Sequence, residues 1–167
     1  SLSKSLANRL TGKRVAKKGY FIAITNAAVF GNGGNQVVVR IDFSGDAVGH
    51  VYFVGKPEIS TLTQTVSIGG LRYDIETETI LQKTATWLDF STFRDLIASE
   101  SILGVTAATD RVRGLLATTL NRTLSPSVSM HGTVESVQGI GVFADVTALH
   151  IRTMSDGTLG LTVTDKP

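Results

Sequence analysis

A chain of 167 residues, 42% of them hydrophobic and 18% charged, is long and apolar enough to bury a substantial core in one domain or two. That balance excludes an intrinsically disordered segment. The absence of cysteine excludes disulfides, thiol nucleophiles and thiolate metal centres, without fixing the compartment. The net charge is only +2, yet six basic residues (Lys4, Arg9, Lys13, Arg14, Lys17 and Lys18) fall in the first eighteen positions.

No run approaches the roughly 20 apolar residues that a membrane-spanning helix needs. The polar, basic start lacks the apolar segment of a signal peptide, and a start at Ser1 without methionine fits a processed or excised chain. An acidic membrane surface attracts a cluster such as Lys13, Arg14, Lys17 and Lys18. The plainer reading is a solvated helix face leading into the first strand.

Leu2, Leu6 and Leu10 recur at helical spacing, so residues 2–14 read as a short amphipathic helix within a basic segment over 1–18. From Tyr20 the period changes. Residues 20–30 and 36–43 are rich in β-branched and aromatic types and flank Gly31-Asn32-Gly33-Gly34-Asn35, which predicts a hairpin with a glycine-rich loop. A phosphate-binding loop would open a helix, whereas this one opens a strand, so nucleotide binding is set aside.

Ser44-Gly45-Asp46 predicts a second hairpin into 47–54, Gly55-Lys56-Pro57 a break, and Gly69-Gly70 a tight turn between strands 61–68 and 71–77. Strands thus fill 20–78. A helical tract is then expected over 79–124, with Trp87, Leu88 and Leu96 on its apolar side and a regular stripe of Val105, Ala108, Val112, Leu115, Leu116 and Leu120. Ser99 to Gly104 bends or interrupts it, and Ser125-Pro126 ends it. Strands return at about 127–138, 141–153 and 157–164, with Asp156-Gly157 as a turn signal.

Chemistry-bearing patterns are scarce. His50, His131 and His150 lie far apart in predicted strands, with no metal-ligand spacing. Asp74, Glu76 and Glu78 share one strand face and read as a solvated row. No nucleophile signature or calcium loop is present, so the chain is read as noncatalytic, without cofactor or metal. The basic start lacks interleaved aromatics that would stack bases, which argues against nucleic acid.

The run GHVYFVGKPEISTLTQTVSIGGLRYDIETETILQKTATWL resembles the bacterial domain of unknown function 4403 family through Gly55, Pro57, Leu71, Asp74, Glu76, Thr77, Ala85, Trp87 and Leu88. The ending GTVESVQGIGVFADVTALHIRT is similar too. The resemblance implies the C-terminal portion of a longer parent protein, a likeness to tubular lipid-binding proteins, and a periplasmic or cell-envelope location. It supplies no catalytic residues.

The expected fold is therefore a single α+β domain over 1–167: a strongly curved antiparallel sheet wrapped around a long amphipathic helix, with a short N-terminal helix. The expected function is binding of a lipid or other hydrophobic small molecule between sheet and helix. Trp87, Leu88, Leu96, Val105, Val112, Leu116 and Leu120 would form the apolar wall or core. The alternative is an interaction module that docks a protein partner or an anionic membrane through Lys13, Arg14, Lys17 and Lys18.

Overall fold

The computed structural model describes residues 2–73 and 90–164. Its elements in chain order are α1 (Leu2–Leu10), β1 (Arg14–Lys17), β2 (Tyr20–Gly31), β3 (Val37–Gly45), β4 (Gly49–Ser60), β5 (Thr65–Tyr73), α2 (Phe90–Glu100), β6 (Leu103–Gly104), α3 (Thr106–Leu120), β7 (Arg122–Ser125), β8 (Val128–Ala144) and β9 (Leu149–Val163). One sheet has the order β1-β2-β3-β4-β5-β6 and the other β7-β8-β9. The chain divides into two compact units. The first comprises Ser1–Glu58, Val66–Leu103 and Val142–His150, and the second Ile59–Thr65, Gly104–Gly141 and Ile151–Pro167.

The first unit is built on a strongly curled antiparallel half-barrel sheet with short helices. Alternation puts Val37, Val39, Ile41 and Phe43 of β3 and Val51 and Phe53 of β4 on one buried face. On β2, Ile22 and Ile24 point inward, and a bulge between Ile24 and Asn26 flips the phase so that Ala27 does too. Bulges of this kind add local twist, which bends the sheet. Helix α1 lays Leu6 and Leu10 on the inner face, and α2 lays Phe93 and Ile97 there, all four fully buried. The Phe93 ring meets Phe53 edge-on, with centroids 5.7 Å apart. Each such side chain contributes about 2–3 kcal/mol through burial.

Polar contacts hold the helices in place. The Ser3 hydroxyl donates to Val29 O at 2.6 Å and accepts from Val29 N at 2.8 Å, so it serves as a partner for backbone groups of β2 beyond the reach of β1. Arg9 donates to Ile102 O at 2.5 Å, and Lys13 pairs with Glu100. Both cations sit at the C-terminal end of α2, where the helix dipole favours positive charge.

In the second unit, α3 starts beside Gly139 and ends over Gly132 of β8. Gln64, held at φ +50°, pins the β4–β5 turn to β8: its side chain accepts from Gly139 N at 2.7 Å and donates to Gly139 O at 3.2 Å. Asn121 ends α3. Its amide donates to Ala117 O at 2.8 Å and to Gly132 O at 2.7 Å, while its oxygen accepts from Gly132 N.

Several sequence expectations need correction. The basic segment over 1–18 is not all helix: Gly12, at φ +85°, follows the end of α1, and Arg14–Lys17 pairs as β1 with Tyr20–Ala23. Gly55-Lys56-Pro57 does not break the sheet but lies within β4, and Gly69-Gly70 lies within β5, the turn being at residues 61–64. Gly55 and Gly69 serve close approach, whereas Gly70 adopts φ +61° with nothing within 4 Å of its Cβ position. A Cβ on Gly55 would stand 2.6 Å from Ile68 Cγ2, and one on Gly69 2.2 Å from the Glu58 carboxylate.

The long helix over 79–124 is not one helix. Residues 79–89 lie outside the described residues, and the remainder is split into α2 and α3 by β6. Ser101 ends α2 by turning its hydroxyl back onto Ile97 O at 2.6 Å, and Val105 N donates to Gln64 O, so the backbone leaves the helical path between them. Residues Arg122–Ser125 are strand β7. The stripe is buried unevenly: Val105 at the start of α3 is buried and Val112, Leu116 and Leu120 are half-buried, but Ala108 is exposed and Leu115 is 66% exposed.

The last turn is also displaced. Asp156-Gly157 lies within β9, and the hairpin reverses at residues 145–148. There Asp145 Oδ1 accepts from Thr147 N, the Thr147 hydroxyl and Ala148 N at 2.7–2.8 Å, a side-chain-closed turn that does the work expected of Asp-Gly.

Candidate functional site

Of the seven apolar residues read as a ligand wall, Trp87 and Leu88 lie outside the described residues. Leu96 belongs to the first unit, where it is half-buried against the core. Val105, Val112, Leu116 and Leu120 belong to the second unit. Val105 is buried at the start of α3, and the other three are half-buried along it.

Leu120 leads to the most distinctive surface. Thr133 and Thr158 share a hydroxyl hydrogen bond at 2.7 Å, and Thr164 N donates to Ser127 O at 2.8 Å, which fixes the β8–β9 register over this stretch. Leu159 then lies opposite Gly132, Leu161 opposite Met130 and Val163 opposite Val128, all on one face by the two-residue period. Leu120 packs at Gly132 on that face, its Cβ 2.8 Å from where a glycine Cβ would stand. Leu159, Leu161 and Val163 are 61–66% exposed. The sheet thus presents a row of large aliphatic side chains to its surroundings, with the end of α3 at one border. The sequence pattern Leu-Gly-Leu-Thr-Val carried this signal, but alternation alone cannot say that this face is left open.

A second concavity lies on the outer face of the first unit's sheet. Gln36, Val54, Lys56, Glu58 and Arg72 rim a groove of about 340 Å³ over Gly55, Gly69 and Gly70. Its walls carry two cations and one carboxylate.

The four basic residues separate. Lys13 pairs with Glu100, and the Arg14 guanidinium lies 4.0 Å from the centre of the Phe21 ring. Lys17 and Lys18 are exposed where β1 turns into β2.

The three histidines do not converge. His50 meets Tyr52 edge-on at 5.3 Å, His131 lies 3.1 Å from the Ser129 hydroxyl, and His150 Nε2 is 2.7 Å from Asp145 Oδ2. His150 also stacks on Phe143, with centroids 4.7 Å apart. Asp145 is held well below the usual carboxylate range, first by the Thr147 hydroxyl, then by the amides of Thr147 and Ala148, then by His150. This is a closed structural turn: both oxygens of Asp145 are engaged. Among the described residues there is no cluster of three or more metal-ligating side chains.

The glycine-rich loop has a structural task. Gly33, Gly34 and Asn35 all adopt positive φ (72°, 57° and 59°), and Asn35 Oδ1 accepts from Ala144 N at 2.9 Å. Gly31 lies so close to the β8–β9 turn that a Cβ would stand 1.5 Å from Asp145 O.

An α+β chain with curled antiparallel sheet, short helices, an open aliphatic strand face and closed structural turns defines the class. The chain belongs to the family described as domain of unknown function DUF4403, whose family model matches residues 1–163. No curated protein and no solved structure matches it.

Proposed function

We propose that the chain is a noncatalytic cell-envelope module of the tubular lipid-binding kind. It binds a lipid or another hydrophobic ligand on the face where α3 meets the β7-β8-β9 sheet. The observation that carries this reading is the exposed row of Leu159, Leu161 and Val163 beside Leu120. Leaving three aliphatic side chains in water forgoes about 1 kcal/mol or more each, so an apolar occupant gains what the fold leaves unburied. The envelope location rests on the family resemblance.

Native mass spectrometry with organic extraction tests it. A stoichiometric lipid, or uptake of added phospholipid or fatty acid that Leu161→Arg abolishes, is the expected result. A clean apo mass that takes up neither, or uptake indifferent to Leu161→Arg, sinks the proposal.

The alternative, an interaction module on an anionic surface, draws support from exposed Arg14, Lys17 and Lys18 along strand β1 and its turn. Binding to anionic vesicles that is lost on neutralising Lys17 and Lys18, and insensitive to Leu161→Arg, would favour it.

A further inference from the structure

The outer edge of β9 goes beyond the lipid reading. β9 is the outer strand of the β7-β8-β9 sheet, is 15 residues long, and is exposed at every position from Arg152 to Val163. Proteins blunt sheet edges with short strands, lysine, proline or a covering element. The opposite edge, β7, is four residues long, and the other sheet's edges are β1, four residues long with Arg14 and Lys17, and β6, two residues long. Ile151–Val163 has neither lysine nor proline.

We propose that two copies of this chain pair through β9, antiparallel, about a two-fold axis at Met154. In that register Arg152 of each copy faces Asp156 of the other, and Thr153 faces Ser155. Arg152 and Asp156 are the only Arg, Lys, Asp or Glu residues of β9, and they stand two positions either side of Met154, on one strand face. The self-pairing is therefore charge-complementary at this centre, and the two ion pairs repeat by symmetry.

Both side chains are available. Arg152 lies over Gly141 of β8 and makes no ion pair among the described residues. Asp156 accepts one hydrogen bond, from the Ser136 hydroxyl through Oδ2 at 3.1 Å, which leaves its second oxygen for an arginine. Pairing over Ile151–Gly157 also satisfies the backbone groups of the edge.

The absence of cysteine makes the register directly testable. Met154→Cys places two thiols at the axis, within the separation a disulfide spans. Thr158→Cys places them about 27 Å apart along the strands. Mild oxidation is expected to link the first variant into a covalent dimer and leave the second single. Sedimentation of the unmodified chain is expected to show a concentration-dependent dimer. Arg152→Asp or Asp156→Arg alone should weaken it about tenfold, and the two together should restore it to within about threefold.

Equal cross-linking at both positions, a chain that stays monomeric at about millimolar concentration, or failure of the double exchange to rescue would overturn the proposal. A monomer that still takes up lipid removes the dimer alone. A dimer that takes up none removes the lipid reading alone.

Discussion

Gly31→Ala is the sharpest test of how the first unit is assembled. The added methyl would stand 1.5 Å from Asp145 O and 2.5 Å from its carbonyl carbon, against about 3.4 Å for an ordinary contact. Neither obstacle is a flexible side-chain end, so the turn at residues 145–148 must retreat by nearly 2 Å. That displacement breaks the 2.9 Å hydrogen bond from Ala144 N to Asn35, worth about 1 kcal/mol, and loosens Ala144, now 6% exposed. Overpacking adds about 1–3 kcal/mol, for a total of about 2–4 kcal/mol.

Urea denaturation measures the loss, and hydrogen exchange at Ala144 locates it. Gly33→Ala is the control. Nothing lies within 4 Å of its Cβ position, and only the φ of +72° opposes it, at about 1 kcal/mol. A Gly31→Ala protein within 0.5 kcal/mol of the parent, with Ala144 protection unchanged, would refute the reasoning.

Three further outcomes are expected. Phe93→Ala, removing a fully buried ring in contact with Phe53, should cost about 3–5 kcal/mol by the same denaturation assay, whereas Phe143→Ala, at a ring 44% exposed, should cost far less. Gln64→Ala should cost about 1–2 kcal/mol, because two hydrogen bonds to Gly139 are lost; hydrogen exchange should speed at Gly139 N. Asp145 has a depressed folded-state value, so its contribution to stability is complete above the ordinary value near 3.8 and fades as pH falls below it. A carboxyl titration by NMR should find Asp145 ionised well below the ordinary carboxylate range, and Thr147→Val should move it back up; an ordinary midpoint in the parent would contradict the geometry.

What could be read in the sequence and what could not follow from which interactions are local. The β2–β3 hairpin was legible because its alternation and its Gly-Asn loop are both short-range signals. The break in the helical tract was legible as a bend or interruption at residues 99–104 but not as a strand, since what ends α2 and starts α3 includes a hydrogen bond from Val105 to Gln64, forty-one positions away. Turn chemistry misled at Gly55, Gly69-Gly70 and Asp156-Gly157. At Gly55, Gly69 and Gly157 the missing side chain makes room for a neighbouring strand: a Cβ on Gly157 would stand 2.0 Å from Thr133 O. A glycine needed for approach and one needed for a turn look alike in sequence. For the same reason the Gly55 of the family resemblance marks a packing seat on β4. Periodicity picked out Val112, Leu116 and Leu120, which are half-buried along α3, but could not reveal that the sheet face beside Leu120 is exposed.

The open face and the open edge of β9 belong to one sheet, and that couples the two proposals. Antiparallel pairing about an axis normal to the sheet keeps the aliphatic rows of both copies on the same side. A lipid surface then meets Leu159, Leu161 and Val163 twice in one rigid body, and the second contact is made at an effective concentration in the millimolar range. Binding to neutral phosphatidylcholine vesicles should therefore fall about tenfold or more in Arg152→Asp, which separates the copies without touching the aliphatic row. Uptake of a single fatty acid per chain, which needs only one face, should be unchanged in the same variant. Flotation with vesicles and fluorescent fatty-acid titration read the two quantities independently. Equal losses in both would mean that Arg152→Asp damages the face itself, and no loss in either would mean that the edge and the face act separately.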